Sequence, residues 1–189
     1  MRQEGLGSLI AKIAVTDEQT GLGTFAHFQQ FLERELDRGK RYGHSVTVVF
    51  LHVDARLGFD SPEKIQEGDR LLRRFADVLR ETARTVDVVA RRSVEEFAGA
   101  LPETDAKAAA AFVGRLRAKL AATPFPGREA GAPAVHVGSS TCPRDTEDLR
   151  QLLSFADKSL LRAQRGAGGG YCPFDPDLDH AGDPSPRLH

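Results

Sequence analysis

Phe28, Phe31, Leu32 and Leu36 fall on one face at helical spacing within AHFQQFLERELDRGKRYG, which predicts a helix closed by Gly43. SVTVVFLHVD follows as a β-branched apolar block, the pattern of a buried strand. After the irregular ARLGFDSPEK, the segment IQEGDRLLRRFADVLRETAR is helical, with Leu71, Phe75, Val78 and Leu79 turned inward. RTVDVVARRSVEEFAGALP reads as a hairpin. Val86, Val88 and Ala90 alternate on one side, Phe97 and Leu101 lie on the other, and Glu95 and Glu96 stand at the tip behind Ser93-Val94.

The Ala-rich TDAKAAAAFVGRLRAKLAA predicts a further helix with Phe112, Leu116 and Leu120 on one stripe. A Pro- and Gly-rich loop over 123–133 leads to the strand AVHVGSS. DTEDLRQLLSFADKSLLRAQRG then buries Leu149, Leu152, Leu153, Ala156 and Leu160 as a last strong helix. Before the first helix, TDEQTGLGTF predicts a turn in which Thr16 or Asp17 is the capping or Asx-turn residue. Residues 1–15 carry Leu6, Leu9, Ile10 and Ile13 as a short amphipathic helix, a segment that caps the domain or pairs with a second copy. From Gly166 the composition turns to glycine, proline and aspartate, and residues 169–189 are expected to be a disordered tail. The order of elements predicts an α+β fold with a ferredoxin-like βαββαβ core, its sheet covered by helices.

With 26 basic and 27 acidic residues, the net charge is −1, which leaves no electrostatic footprint for a nucleic-acid polymer. Cys142 and Cys172 are too few and too isolated for a disulfide framework or a zinc site, and fit a reducing, cytoplasmic location. Lys12 interrupts the short apolar run at the start, which is neither a signal peptide nor a membrane span. No membrane association is expected.

The candidate chemistry centres on the hairpin. Glu95 and Glu96 either hold a divalent cation over a nucleotide, are the remains of a site that once did, or form a solvated tip, with Arg91 and Arg92 as exposed charge beside them. His52 reads as a half-buried histidine at a strand end, or with Asp54 and Glu95 as a transition-metal ligand. Arg84 and Asp87, three residues apart, read by themselves as a weak surface ion pair.

The chain resembles the GGDEF domains, the diguanylate cyclase family, over about Ile13 to Gly168. The matching pieces are TDEQTGL at 16–22, RGKRYGH at 38–44, EGDRLL at 67–72, RTVD at 84–87, SVEEF at 93–97 in place of GG[DE]EF, and FADKSLLRAQ at 155–164. The resemblance implies a palm-like cyclase fold that joins two GTP molecules with two magnesium ions, one GTP per protomer of a dimer. Hard carboxylate ligands serve such ions. Here the first metal carboxylate falls on His52, and the phosphate-admitting glycines are Ser93 and Val94. The guanine-reading Asn is Asp60, its partner is kept as Asp69, the phosphate-binding Lys is Gln164, and the following basic segment is Ala167-Gly168-Gly169.

On that resemblance the catalytic set (His52, Ser93, Val94, Glu95, Glu96) is degenerate, Asp60 and Asp69 are a residual nucleotide pocket, and no metal is held. If any metal binds, Glu95 and Glu96 hold it. The family's allosteric RxxD product site is intact as Arg84 and Asp87, five residues before the turn, and the register supplies Arg115 as its third member. Arginine forks bond guanine O6 and N7 in pairs, and an aspartate accepts from the N1–H and N2–H edge. The expected function is an inactive receptor for cyclic di-GMP that signals to a protein partner, with a homodimer as a further expectation. The alternatives are a nucleotide-independent interaction scaffold and an active cyclase, which alone calls for magnesium.

Overall fold

The computed structural model describes residues 15–55, 61–126, 131–166 and 170–179. Residues 1–14 of the helix expected over 1–15, Asp60, Ala167-Gly168-Gly169 and the stretch 180–189 lie outside the described residues. Along the chain run β1 (Gly23–Thr24), α1 (Phe25–Tyr42), β2 (Val46–Asp54), α2 (Pro62–Thr82), β3 (Val88–Arg91) and β4 (Glu96–Pro102). They are followed by α3 (Ala106–Ala121), β5 (Ala134–Cys142), α4 (Leu149–Gln164), β6 (Tyr171–Pro173) and α5 (Pro176–Asp179).

The sheet order is β1-β3-β4-β2-β5-β6. β4 runs antiparallel between β3 and β2, and β5 antiparallel to β2, while both edge strands pair in parallel. The four inner strands form the expected βαββαβ core. α2 and α3 cover one face, where Leu51, Val53, Phe75, Phe97 and Leu116 form one apolar cluster. α1 and α4 cover the other, where Phe28, Leu32, Val48, Phe50, Leu152 and Leu160 form a second. Coverage on both faces is why β2 reads as an unbroken apolar block.

Thr24, not Thr16 or Asp17, caps α1, accepting from the His27 N–H, and Gly43 ends the helix in the left-handed region at φ 73°. Asp17 instead closes the preceding turn by accepting from Thr20 N and Thr20 Oγ1. Val86 lies before β3 and is exposed, so the strand starts later than the alternation predicts.

The end of the chain also differs from expectation. β6 adds to the sheet beside β5, the Phe174 and Phe155 rings stack with centroids 4.0 Å apart, and Tyr171 Oη lies 3.0 Å from Ser139 Oγ. Asp179 is buried, accepting from Ser159 Oγ and Asp175 N. Two aromatic anchors thus order residues 170–179 that the composition assigns to a disordered tail. Among the described residues, no helix is long and apolar enough to cross a membrane.

Candidate functional site

β3 and β4 meet in a tight turn in which Arg92 N and Ser93 N both donate to Glu96 O, at 2.8 and 3.1 Å. Arg91 staples the turn, its Nε donating to Ser93 O at 2.9 Å and its Nη2 to Val94 O at 2.7 Å. Neither Ser93 nor Val94 takes a positive φ. The turn therefore closes without glycine, and it leaves the Val94 side chain 59% exposed at the tip.

Both tip carboxylates are engaged by the protein. Glu95 Oε1 accepts from Ala55 N at 3.3 Å, while its backbone O accepts from Val53 N. Glu96 pairs with Arg92 at 3.5 Å. Arg92 also forms a two-pronged ion pair with Asp157 of α4, at 2.6 and 3.0 Å, and lies 4.2 Å over the Phe50 ring. Burial pushes the Asp157 carboxyl above the usual carboxylate range, opposed by Arg92.

His52 sits in register with Glu96 on β4 and with His136 on β5. The two imidazoles lie 6.2 Å apart, and His136 Nδ1 is 2.9 Å from Ala163 O. A two-magnesium centre needs several oxygen ligands converging on each ion. These residues do not fit one: an imidazole takes the first position, Glu95 and Glu96 are turned to protein donors, and no three His, Cys, Asp or Glu side chains converge on an ion among the described residues.

Asp69, expected to read a base, is likewise occupied. Its carboxylate accepts from Gln19 Nε2, and Gln19 Oε1 accepts from Arg91 Nη1. Gln19 O in turn accepts from Arg73 Nε at 3.1 Å. Gln164, the last residue of α4, brings no cation to this end of the sheet.

The RxxD segment is built differently. Asp87 N donates to Arg84 O at 3.0 Å and Arg84 N donates to Asp87 Oδ2 at 2.7 Å, so the four residues close on themselves. Asp87 Oδ1 is buried without a partner. Burial raises the Asp87 carboxyl above the usual carboxylate range, against the Arg84 N–H and the positive charges of Arg84 and Arg115. Both guanidinium groups are thus close enough to act on Asp87. Both residues are exposed, and neither guanidinium has a carboxylate or carbonyl partner among the described residues; Arg115 only lies 5.9 Å over Phe112. Arg84 and Asp87 thus share one closed turn, and the charge of Arg115 acts on Asp87 from α3.

Three contributors escape a reading of the sequence: Gln19, Arg92 and His136. Alternation along two strands places His52 and His136 on facing positions, a signal present in the sequence. The Gln19 and Arg92 contacts span 50 and 65 residues and leave no local signature.

Comparison with known proteins places this architecture. The profile described as "Diguanylate cyclase, GGDEF domain" matches residues 14–169. Diguanylate cyclase DgcP of Pseudomonas aeruginosa is 32% identical over 152 residues, covering 80% of this chain and 23% of that protein. Response regulator PleD of Caulobacter vibrioides is 27% identical over 156 residues, covering 81% of this chain and 34% of that one. The chain thus spans about a quarter to a third of the length of these curated relatives.

Among solved structures, the GGDEF domain of DgcB from Caulobacter crescentus in complex with c-di-GMP superposes with a TM-score of 0.74 at 25% identity, covering 85% of this chain and 95% of that one. Diguanylate cyclase SiaD in complex with its activator SiaC, from Pseudomonas aeruginosa, gives 0.75 at 27% identity, covering 88% and 64%. The palm-like sheet, the hairpin in its SVEEF form and the matched span agree: the chain belongs to the GGDEF domain, or diguanylate cyclase, family.

Proposed function

We propose that this GGDEF domain binds cyclic di-GMP at Arg84, Asp87 and Arg115, does not synthesise it, and relays its binding to a protein partner. One contrast carries the reading. Glu95, Glu96 and Asp69, expected on the substrate side, each accept from or pair with a protein donor, whereas Asp87, bonded through Oδ2 to Arg84 N, keeps Oδ1 buried without a partner beside the exposed Arg84 and Arg115. Groups held free and preorganised favour a ligand, because binding then breaks no internal contact. A DgcB domain of the same fold is known in complex with c-di-GMP, and SiaD in complex with an activator protein, which makes both the ligand and a protein partner reasonable for this chain.

Titration calorimetry with cyclic di-GMP tests the reading. Binding by the natural chain and its loss in Arg84→Ala is the expected result; equal affinity in Arg84→Ala removes the site, and no heat at all leaves the interaction scaffold.

An active cyclase is the second reading. It is favoured by the retention of Asp54, Glu95 and Glu96 at one end of the sheet and by the identity to DgcP. Incubation with GTP and magnesium or manganese, followed by chromatography, decides it: product that disappears in Glu95→Ala establishes synthesis.

A further inference from the structure

His52 of β2 and His136 of β5 stand directly opposite each other in the antiparallel register. Their strand neighbours Leu51, Val53, Val135 and Val137 belong to the apolar cluster under α2 and α3, so alternation turns both imidazoles to the other face. There the ring centroids are 6.2 Å apart, with His136 9% exposed and His52 half-buried.

The hydrogen bonding of His136 prepares it as a ligand. Its Nδ1 lies 2.9 Å from Ala163 O, next to the last residue of α4, and a carbonyl only accepts. In the neutral ring the proton therefore sits on Nδ1, and Nε2 carries a lone pair. Histidines that bind metals almost always have this arrangement, with one nitrogen anchored to a carbonyl, carboxylate or water and the other turned to the ion. Nε2 of His136 and both ring nitrogens of His52 have no protein partner among the described residues, and none of the three is sealed from solvent.

We propose that His52 and His136 bind one divalent transition-metal ion of the zinc or nickel class, and that the ion pins β2 to β5. At a Zn–N distance of about 2.0–2.1 Å, two imidazoles on one ion hold their centroids roughly 5–6 Å apart, so the present separation needs only a small closing rotation. Imidazole suits such borderline ions, whereas magnesium demands oxygen ligands. The side chain that spoils a magnesium centre at position 52 thus serves a softer ion. Glu96, opposite His52 on β4, brings a carboxylate to the same row, 3.5 Å from Arg92. Only two side chains ligate, and waters complete the shell. The cyclic di-GMP reading uses neither histidine, and the proposal goes beyond it.

Thermal melting and calorimetric titration of the full chain with zinc, nickel and magnesium chloride test the site. An ion that binds the folded chain preferentially raises the melting midpoint with its concentration. Zinc and nickel are expected to raise the midpoint of the natural chain, and magnesium to leave it unmoved. His52→Ala removes one of two ligands; it is expected to weaken zinc binding by roughly tenfold or more and to cancel the rise, and His136→Ala to do the same. His44→Ala, beyond the opposite end of β2, is expected to behave as the natural chain does. On zinc addition the ¹⁵N resonance of His136 Nε2 moves.

Equal zinc affinity and an equal rise in the natural chain and His52→Ala overturn the site and put any bound zinc on other residues. His52 is half-exposed, so that variant decides the matter even where His136→Ala fails to fold. A His136 Nε2 resonance that stays put at zinc saturation overturns the site as well, as does a rise with magnesium equal to that with zinc. A natural chain that takes up neither zinc nor nickel overturns it outright.

Discussion

The Gln19 side-chain amide donates to the Asp69 carboxylate and accepts from Arg91, across fifty and seventy-two residues of sequence. An internal amide thus occupies the acceptor that a guanine edge would need. Gln19→Leu removes both bonds at once. The expected outcome is a loss of about 1.5–3 kcal/mol in urea unfolding, the range for hydrogen bonds to charged groups, together with stronger uptake of GMP. If GMP affinity is the same in both chains, Gln19 does not guard Asp69.

Asp87 couples stability and binding with opposite signs. Its carboxyl is raised above the usual value by burial. Between the ordinary carboxylate value and that raised one, the folded chain keeps a proton that the unfolded chain has released. Folding stability from this group therefore falls as pH rises through the window and is regained on acidification. On the proposed reading cyclic di-GMP needs the ionised form, so its affinity is expected to move the other way and weaken as pH falls. Asp87→Asn is expected to abolish binding while leaving the urea midpoint unchanged or higher, and to flatten its pH dependence above the ordinary carboxylate value. A steep fall in stability for Asp87→Asn contradicts this account.

Arg92 ties the hairpin to α4 through Asp157 and packs over Phe50. The pair is partly exposed, so Arg92→Ala is expected to cost about 1–2 kcal/mol, cation–π contact included. Arg92→Lys keeps the charge but not the fork, and falls between the two. Urea midpoints for the three chains check the order.

Gly138 is where α4 meets the sheet. A Cβ on it would lie 2.1 Å from Leu160 N and 2.5 Å from Ala156 O, both backbone atoms that cannot swing aside. Gly138→Ala is expected to destabilise by about 3–5 kcal/mol, or to prevent folding, as judged by thermal melting and soluble yield.

The main elements were legible because local period and burial coincide in them. The stripe Phe28, Leu32, Leu36 and the block Val46–Val53 announce a helix and a two-sided strand, and both are there. What was not legible depends on partners distant in the chain. Tyr171 and Phe174 look like stray aromatics among glycines and prolines until Ser139 and Phe155 are beside them. Thr16 and Asp17 are as good a cap by composition as Thr24, and only the path of the chain into α1 separates them. Of the candidate site, the Arg84–Asp87 turn is local and was readable, whereas the capture of Asp69 by Gln19 exists only once α2 is packed.

The docking of Phe174 and Asp179 against α4 bears on where the domain can be cut. The family profile ends at residue 169, and a fragment engineered to stop there loses the strip that shields Phe155 and the outer edge of β5. Such a fragment presents a naked β edge beside an uncovered ring, the surface from which chains zip together into precipitate. Cloning through Asp179 keeps that seam closed.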